Sequence, residues 1–264
     1  MSPLASLAIR TRELVYHARR SFRDRREIPR ARRELSRLRA GKDVCWSEED
    51  AREPLVTVRI ATKDRPELLV ERALASAIGQ TYSNLDILIV GDGATPETLS
   101  AISKVHDPRV RFVNLSPTTY PAHRERRWKV IGHGPMNYAL DNARGAWITL
   151  LDDDDEFTPD HVETLLDAAV GRRLEFVYGD TSVRRDDGTW GVLGEWPPRY
   201  AGFTQGAVMY ASVLRFMKYD ARSWQVNEPA DWNLWRRMLL AGVRMGHVPT
   251  VVYRYYPARH VPRV

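Results

Sequence analysis

Cysteine is almost missing from this 264-residue sequence, where Cys45 stands alone. A single thiol excludes an internal disulfide framework and a cysteine metal cluster, and it fits a reducing compartment, the cytoplasm. Long apolar runs are missing as well. No stretch approaches the roughly 20 residues of a membrane-spanning helix. The N-terminal patch Leu4–Ile9 is short and broken by Arg10, which argues against a signal peptide. There is no internal repeat, and no low-complexity segment beyond an arginine-rich start. With 43% hydrophobic residues the chain can still bury a full core, as one large domain or two fused subdomains.

Acidic residues are scarce where the basic ones gather. Residues 1–43 hold 13 of the 40 Lys/Arg and 5 of the 34 Asp/Glu, a local net charge of +8 that leaves −2 for the rest. Two apolar stripes run through this segment at helical spacing: Leu14, Ala18 and Phe22, then Ala31, Leu35 and Leu38. Pro29 lies between them and Gly41 follows the second, so the pattern predicts two basic helices. Such a pair can lie on an anionic membrane surface, or pack on its own domain or on a second copy of the chain. Aromatic platforms for bases are limited to Tyr16 and Phe22, so nucleic acid is not expected.

From Pro54 onward, strand and helix patterns alternate. Leu55–Ala61, Leu85–Val90 and Val110–Leu115 read as apolar strands, with helices opening at Pro66 and near Pro96 between them. A polar loop, Ser116–Gly134, leads into a helix ending at Arg144 and then a further strand, Ala146–Leu151. This alternation predicts an α/β fold with a mostly parallel sheet covered by helices on both faces. The second half is mixed. A strand at Leu174–Gly179 and a hairpin turn at Arg185–Gly188 precede helices near Ala211–Lys218 and Asp231–Ala241, and a strand Val248–Tyr253 comes last.

Four consecutive aspartates, Asp152 to Asp155, follow the run Ala146–Leu151. Carboxylates at the carboxyl end of a buried strand lie where open α/β sheets bind ligands. Such a concentration of negative charge calls for a cation, and hard oxygens suit Mg²⁺ or Mn²⁺. The plainer reading is a solvated acidic turn that opens a helix at Thr158–Pro159.

Several short motifs, in order, resemble family 2 glycosyltransferases of the GT-A fold. They are Ile60–Leu69, Ala75–Tyr82, Leu88–Ala94, Asn137–Gly145 and Asp231–Arg237, and the resemblance covers about residues 54–260. It implies metal-dependent, inverting transfer of a sugar from a nucleotide-sugar donor, most often a UDP-sugar, to an acceptor hydroxyl. It also implies a division into a basic helical extension (1–53), a nucleotide-sugar-binding subdomain (54–156) and a smaller mixed acceptor-binding subdomain with a tail (157–264). Ala61, Thr62 and Lys63 would frame the base and Asp92 would accept a hydrogen bond from it. Asp152 or Asp153 would hold the ribose and sugar, and Asp154 would ligate Mn²⁺ or Mg²⁺. Asp231 would be the catalytic base, and His260 would reach the metal or the diphosphate.

Each of these residues has a structural reading beside the functional one. Asp92 precedes Gly93 as a turn residue would, Asp231 is a plausible helix cap, and a histidine near a terminus is often inert. The chain departs from the family at Gly91, where many members carry an aspartate, and at Lys63, which replaces an aromatic. Arg254 and Arg259 are candidate phosphate clamps. Trp224, Trp232 and Trp235 are candidate sugar-stacking faces or core residues. The acceptor stays open between a glycan, a lipid-linked sugar, a protein and a small molecule. A sugar-phosphate nucleotidyltransferase is the competing enzyme class, but it needs a glycine-rich phosphate loop near the first strand, and Ile60–Pro66 contains no glycine. Against a non-catalytic scaffold or membrane-binding module stand the acidic residues at 92, 152, 154 and 231.

Overall fold

The computed structural model describes residues 3–41 and 53–257, with the side chains of 3–12 left aside. Its centre is one mixed sheet. Strands β1 (Val56–Thr62), β2 (Leu85–Asp92), β3 (Val110–Leu115) and β4 (Trp147–Asp152) pair in parallel in the order β3-β2-β1-β4. Parallel strands are buried on both faces, which explains why β2 reads as a nearly unbroken apolar run and is buried along its whole length.

The helices between these strands cover the two faces. α2 (Pro66–Leu68) passes through a π-helical turn, Leu69–Leu74, into α3 (Ala75–Ile78), and α4 (Pro96–Ser103) follows β2. Pro66 and Pro96 each open a helix, where the missing N–H costs nothing. The polar loop after β3 holds a short helix, α5 (Arg124–Trp128), before α6 (His133–Asn142).

Beyond β4 the sheet changes direction. A short β5 (Glu156–Phe157) and helix α7 (His161–Gly171) lead to β6 (Phe176–Arg184), which forms the expected hairpin with β7 (Trp190–Leu193). Next comes β8 (Val208–Ala211), antiparallel to both β4 and β6, so the sheet continues without a gap. The sequence pattern placed a helix from Ala211. The structure instead puts a fully buried strand before it and only a 3₁₀ segment, Ser212–Phe216, after it. A four-residue strand buried on both faces leaves no alternation to detect. Helix α8 (Ala230–Ala241) and β9 (Met245–Tyr255), parallel to β6 and paired with β5, complete the chain.

The basic extension is one helix, α1 (Pro3–Ala40), and Pro29 lies inside it rather than at a break. Proline removes one intrahelical hydrogen bond, and here both flanks are held to the domain. Arg23 donates to Asp220 and Gln225, and Asp24 accepts a forked pair from Arg236. Ile28, just before the proline, is 7% exposed; on the other side Leu35 is 1% exposed and joins the cluster of Leu140, Leu150, Trp235 and Met238. Arg39 makes a bidentate pair with the buried carboxylate of Glu175. The helix packs on its own domain and completes one side of the core. The first stripe is inverted: Leu14 and Phe22 are 69% and 62% exposed and face away from the domain. Among the described residues no helix is long and apolar enough to cross a membrane.

Candidate active site

The carboxyl ends of β1, β2 and β4 share one edge of the sheet, and a cavity of about 720 Å³ opens over it. Ala61, Thr62 and Lys63 from β1 and the turn after it, Asp92 from β2, and Asp152, Asp153 and Asp154 from β4 all line it. Asp231, in the first turn of α8, faces them. Eight residues singled out from the sequence therefore meet in one space. His260 and Arg259 lie outside the described residues.

Asp92 is 5% exposed and sits on the cavity floor. Its carboxylate accepts hydrogen bonds from the Thr118 amide at 2.7 Å and the Tyr120 hydroxyl at 2.5 Å. Burial disfavours its charge, but those donors and Lys63 outweigh the burial and lower its pKa below the usual carboxylate value. Burial first, and then the bond to Asp92, push the Tyr120 hydroxyl up to about 12. The departure at Gly91 has a steric cause: a Cβ there would collide with the side chain of Asn114, which bonds both the amide and the carbonyl of Ala94. Gly93, at φ +67°, supplies the left-handed turn that follows Asp92.

The four aspartates have four different surroundings. Asp152 accepts a 2.6 Å bond from Gln205, which stands just before β8. Asp153 accepts from the Thr62 hydroxyl at 2.8 Å and from Arg65 at 3.1 Å. Asp154 pairs with Arg65, and its carbonyl accepts from Arg72. Asp155 is fully buried and ties down the end of β9 through the Tyr253 hydroxyl and the Tyr256 amide. It belongs to the framework.

Burial, reinforced by neighbouring carboxylates, raises the pKa of Asp152, Asp153 and Asp155. A corner of hard oxygens in which ionisation is this unfavourable suits a hard divalent cation. Among the described residues no three His, Cys, Asp or Glu converge on one point. A cation here would therefore draw its remaining oxygens from the ligand or from solvent.

Asp231 is half-buried and is not the helix cap, because Pro229 occupies that position; its Oδ1 accepts from the Trp232 amide at 2.7 Å. Burial raises its pKa, opposed by that amide and by Arg59. Arg59 was passed over in the sequence because it lies in the apolar run of β1. It is fully buried, donates to the Tyr219 hydroxyl at 3.1 Å, and reaches Gln205 at 3.5 Å. Its Nε and Nη1 have no partner among the described residues. Arg59 acts favourably on both Asp152 and Asp231, which makes it the buried counter-charge beneath the site. A charged residue inside a strand of Val, Thr and Ile was the available signal. Lys63, Arg65, Arg127 and Lys129 add positive charge to the walls.

Other candidates fall to the framework. Arg254 pairs with Glu156, and Trp235 is core. Trp224 stacks under Arg126. Trp232 is half-buried and lines a smaller pocket of about 240 Å³ that shares Pro229 with the main cavity.

Comparison with known proteins points to one family and one fold. The chain is 23% identical over 205 residues to a UDP-Glc:alpha-D-GlcNAc-diphosphoundecaprenol beta-1,3-glucosyltransferase of Escherichia coli, a match covering 76% of each chain. It is 29% identical over 193 residues to an Escherichia coli chondroitin synthase, covering 71% of this chain and 26% of that protein. It spans about a third or less of the length of two of the curated relatives it matches. Among solved structures, a Pyrobaculum calidifontis mannosyltransferase in complex with GDP-Man and Mn²⁺ superimposes with a TM-score of 0.58, at 17% identity, over 95% of this chain and 69% of that one. The two share the GT-A type of α/β fold. The Glycosyl transferase family 2 model matches residues 57–229, from β1 to the residue before α8, and the chain belongs to that family.

Proposed function

We propose that the protein transfers a sugar, with inversion, from a UDP-sugar to an acceptor hydroxyl, aided by Mn²⁺ or Mg²⁺. One observation carries this reading: Asp231 faces the aspartates of β4 across a cavity whose floor is Asp92 and whose walls are cationic. In this reading Asp92 takes the base N–H, while Ala61 and Lys63 flank the base. Asp152 and Asp153 hold ribose and sugar hydroxyls, and Asp154 would hold the divalent ion together with phosphate oxygens. The ion, when bound, neutralises charge developing on the leaving diphosphate. Asp231 takes the proton from the attacking hydroxyl. A carboxylate with a raised pKa is a stronger base once ionised, and Arg59 favours the ionised form.

Residues 54–156 then serve the donor and 157–264 the acceptor. Relatives named for diphosphoundecaprenol-linked substrates support a lipid-linked acceptor, met on the cytoplasmic side of a membrane. Residue pattern and geometry give no support to a nucleotidyltransferase, since the turn after β1 contains no glycine.

A panel of nucleotide-sugars with Mn²⁺ should raise the melting temperature for the true donor, because ligand bound to the native state stabilises it by mass action. With that donor, Asp231→Asn should abolish transfer and leave donor binding near normal. Wild-type transfer by the folded variant would remove Asp231 from the mechanism.

A further inference from the structure

The inverted stripe on α1 has no role in the fold. A helix on a domain surface normally turns its apolar stripe inward. Here the inner face between residues 20 and 24 is held by ion pairs, Arg20 to Glu228, Arg23 to Asp220 and Asp24 to Arg236. Leu14, Val15 and Phe22 are 69%, 42% and 62% exposed, and Ala18 is exposed between them. Arginines border this ridge. Arg19, Arg25 and Arg26 are exposed, Arg26 lies 5.7 Å above the Phe22 ring, and none of the three has an ion pair among the described residues.

We infer that this face of α1 docks on an anionic lipid bilayer. An apolar ridge inserts among acyl chains, and flanking cations meet acidic headgroups. Charge decides between this occupant and a second copy of the chain. A two-fold pairing along the ridge would bring together two faces that each carry the exposed Arg19, Arg25 and Arg26. An acidic surface relieves that repulsion.

The docked helix also fixes where the reaction occurs. The opposite side of the same segment, through Tyr16, His17 and Arg20, walls the pocket that Trp232 and Tyr200 close. That pocket shares Pro229 with the main cavity, two residues before Asp231. A bilayer on the outer face therefore lies about one helix diameter, roughly 10 Å, from a pocket beside the base. Delivery of a lipid-linked acceptor through it rests on the function proposed above; docking itself does not.

The test is co-sedimentation of the full chain with vesicles, either phosphatidylcholine alone or phosphatidylcholine mixed with phosphatidylglycerol. The protein should pellet with the mixed vesicles only, and added salt should release it. Replacing Arg19, Arg25 and Arg26 together by Gln should lower partitioning by about a hundredfold, at roughly fivefold per charge. Leu14→Ser with Phe22→Ser should lower it by about tenfold or more. Both variants should bind UDP with Mn²⁺ as the wild type does, since neither touches the main cavity. If UDP binds no form of the protein, the functional reading fails while the vesicle result stands. Absence from the mixed-vesicle pellet, equal binding to neutral vesicles, or unchanged binding by the folded variants would each overturn docking. So would a dimer in solution that Leu14→Ser with Phe22→Ser dissociates.

Discussion

Leu35→Ala is the sharpest perturbation of the long N-terminal helix. Leu35 is 1% exposed and packs among Leu140, Leu150, Trp235 and Met238. Truncating a buried leucine removes its transfer free energy and leaves a cavity, a combined cost of about 3 kcal/mol. If α1 is part of the core, urea unfolding should stay a single transition whose unfolding free energy falls by that amount, through a lower midpoint at unchanged slope. Phe22→Ala on the same helix, 62% exposed, should shift stability by less than about 0.5 kcal/mol. Deleting residues 1–50 should be worse than either, because it also strips Arg39 from the buried Glu175 carboxylate, leaving Arg244 as its remaining guanidinium. A loss below about 1 kcal/mol for Leu35→Ala would mean that α1 is undocked in solution and that the catalytic body stands alone.

Further predictions concern charge. Asp154→Asn should weaken Mn²⁺-dependent UDP binding in calorimetry without changing the melting temperature of the free protein; unchanged binding would take Asp154 out of the metal site. Arg59→Met should cost about 3 kcal/mol or more, and the loss should be larger near about pH 8 than about pH 5, because the carboxylates left without their cation are relieved by protonation. An equal loss at both pH values would mean that Arg59 fills space only. His161, bonded to Thr149 and Val252 and stacked on Phe157 at 3.6 Å, is held neutral by burial, its pKa lowered to about 3. The unfolded chain then binds the extra proton between pH 6.5 and about 3, so the contribution of His161 is fully present above 6.5 and up to roughly 5 kcal/mol of it is lost as acid is added. His161→Gln should flatten the pH dependence of urea unfolding in that window.

The parallel half of the sheet was legible in the sequence because its strands are continuous apolar runs between helices opened by Pro66 and Pro96. The acidic residues at strand ends were legible because that edge is where α/β sheets expose functional groups. What escaped was set by tertiary context. Val208–Ala211 is short and buried on both faces, so it carries no period. Pro29 reads as a breaker in isolation, yet contacts on both sides carry the helix through it. Leu14, Ala18 and Phe22 keep helical spacing, but spacing does not say which face a domain will meet. Gln205 and Tyr219 became visible only when folding brought them against Asp152 and Arg59.

Because β8 runs against β4, the cavity is edged by the start of one strand as well as by the ends of others. Gln205 reaches Asp152 from the 3₁₀ turn Gln205–Ala207, which follows the loop of residues 194–204 and leads into β8, whereas Asp92 and Asp152 are delivered by strands that leave the core. A loop entering a strand can be lengthened or exchanged while the downstream residues Met209 and Tyr210 keep their register with Thr149 and Ile148. The rim can therefore diverge between relatives at little cost to the floor, so insertions and sequence drift are tolerated on one side of the cavity and penalised on the other.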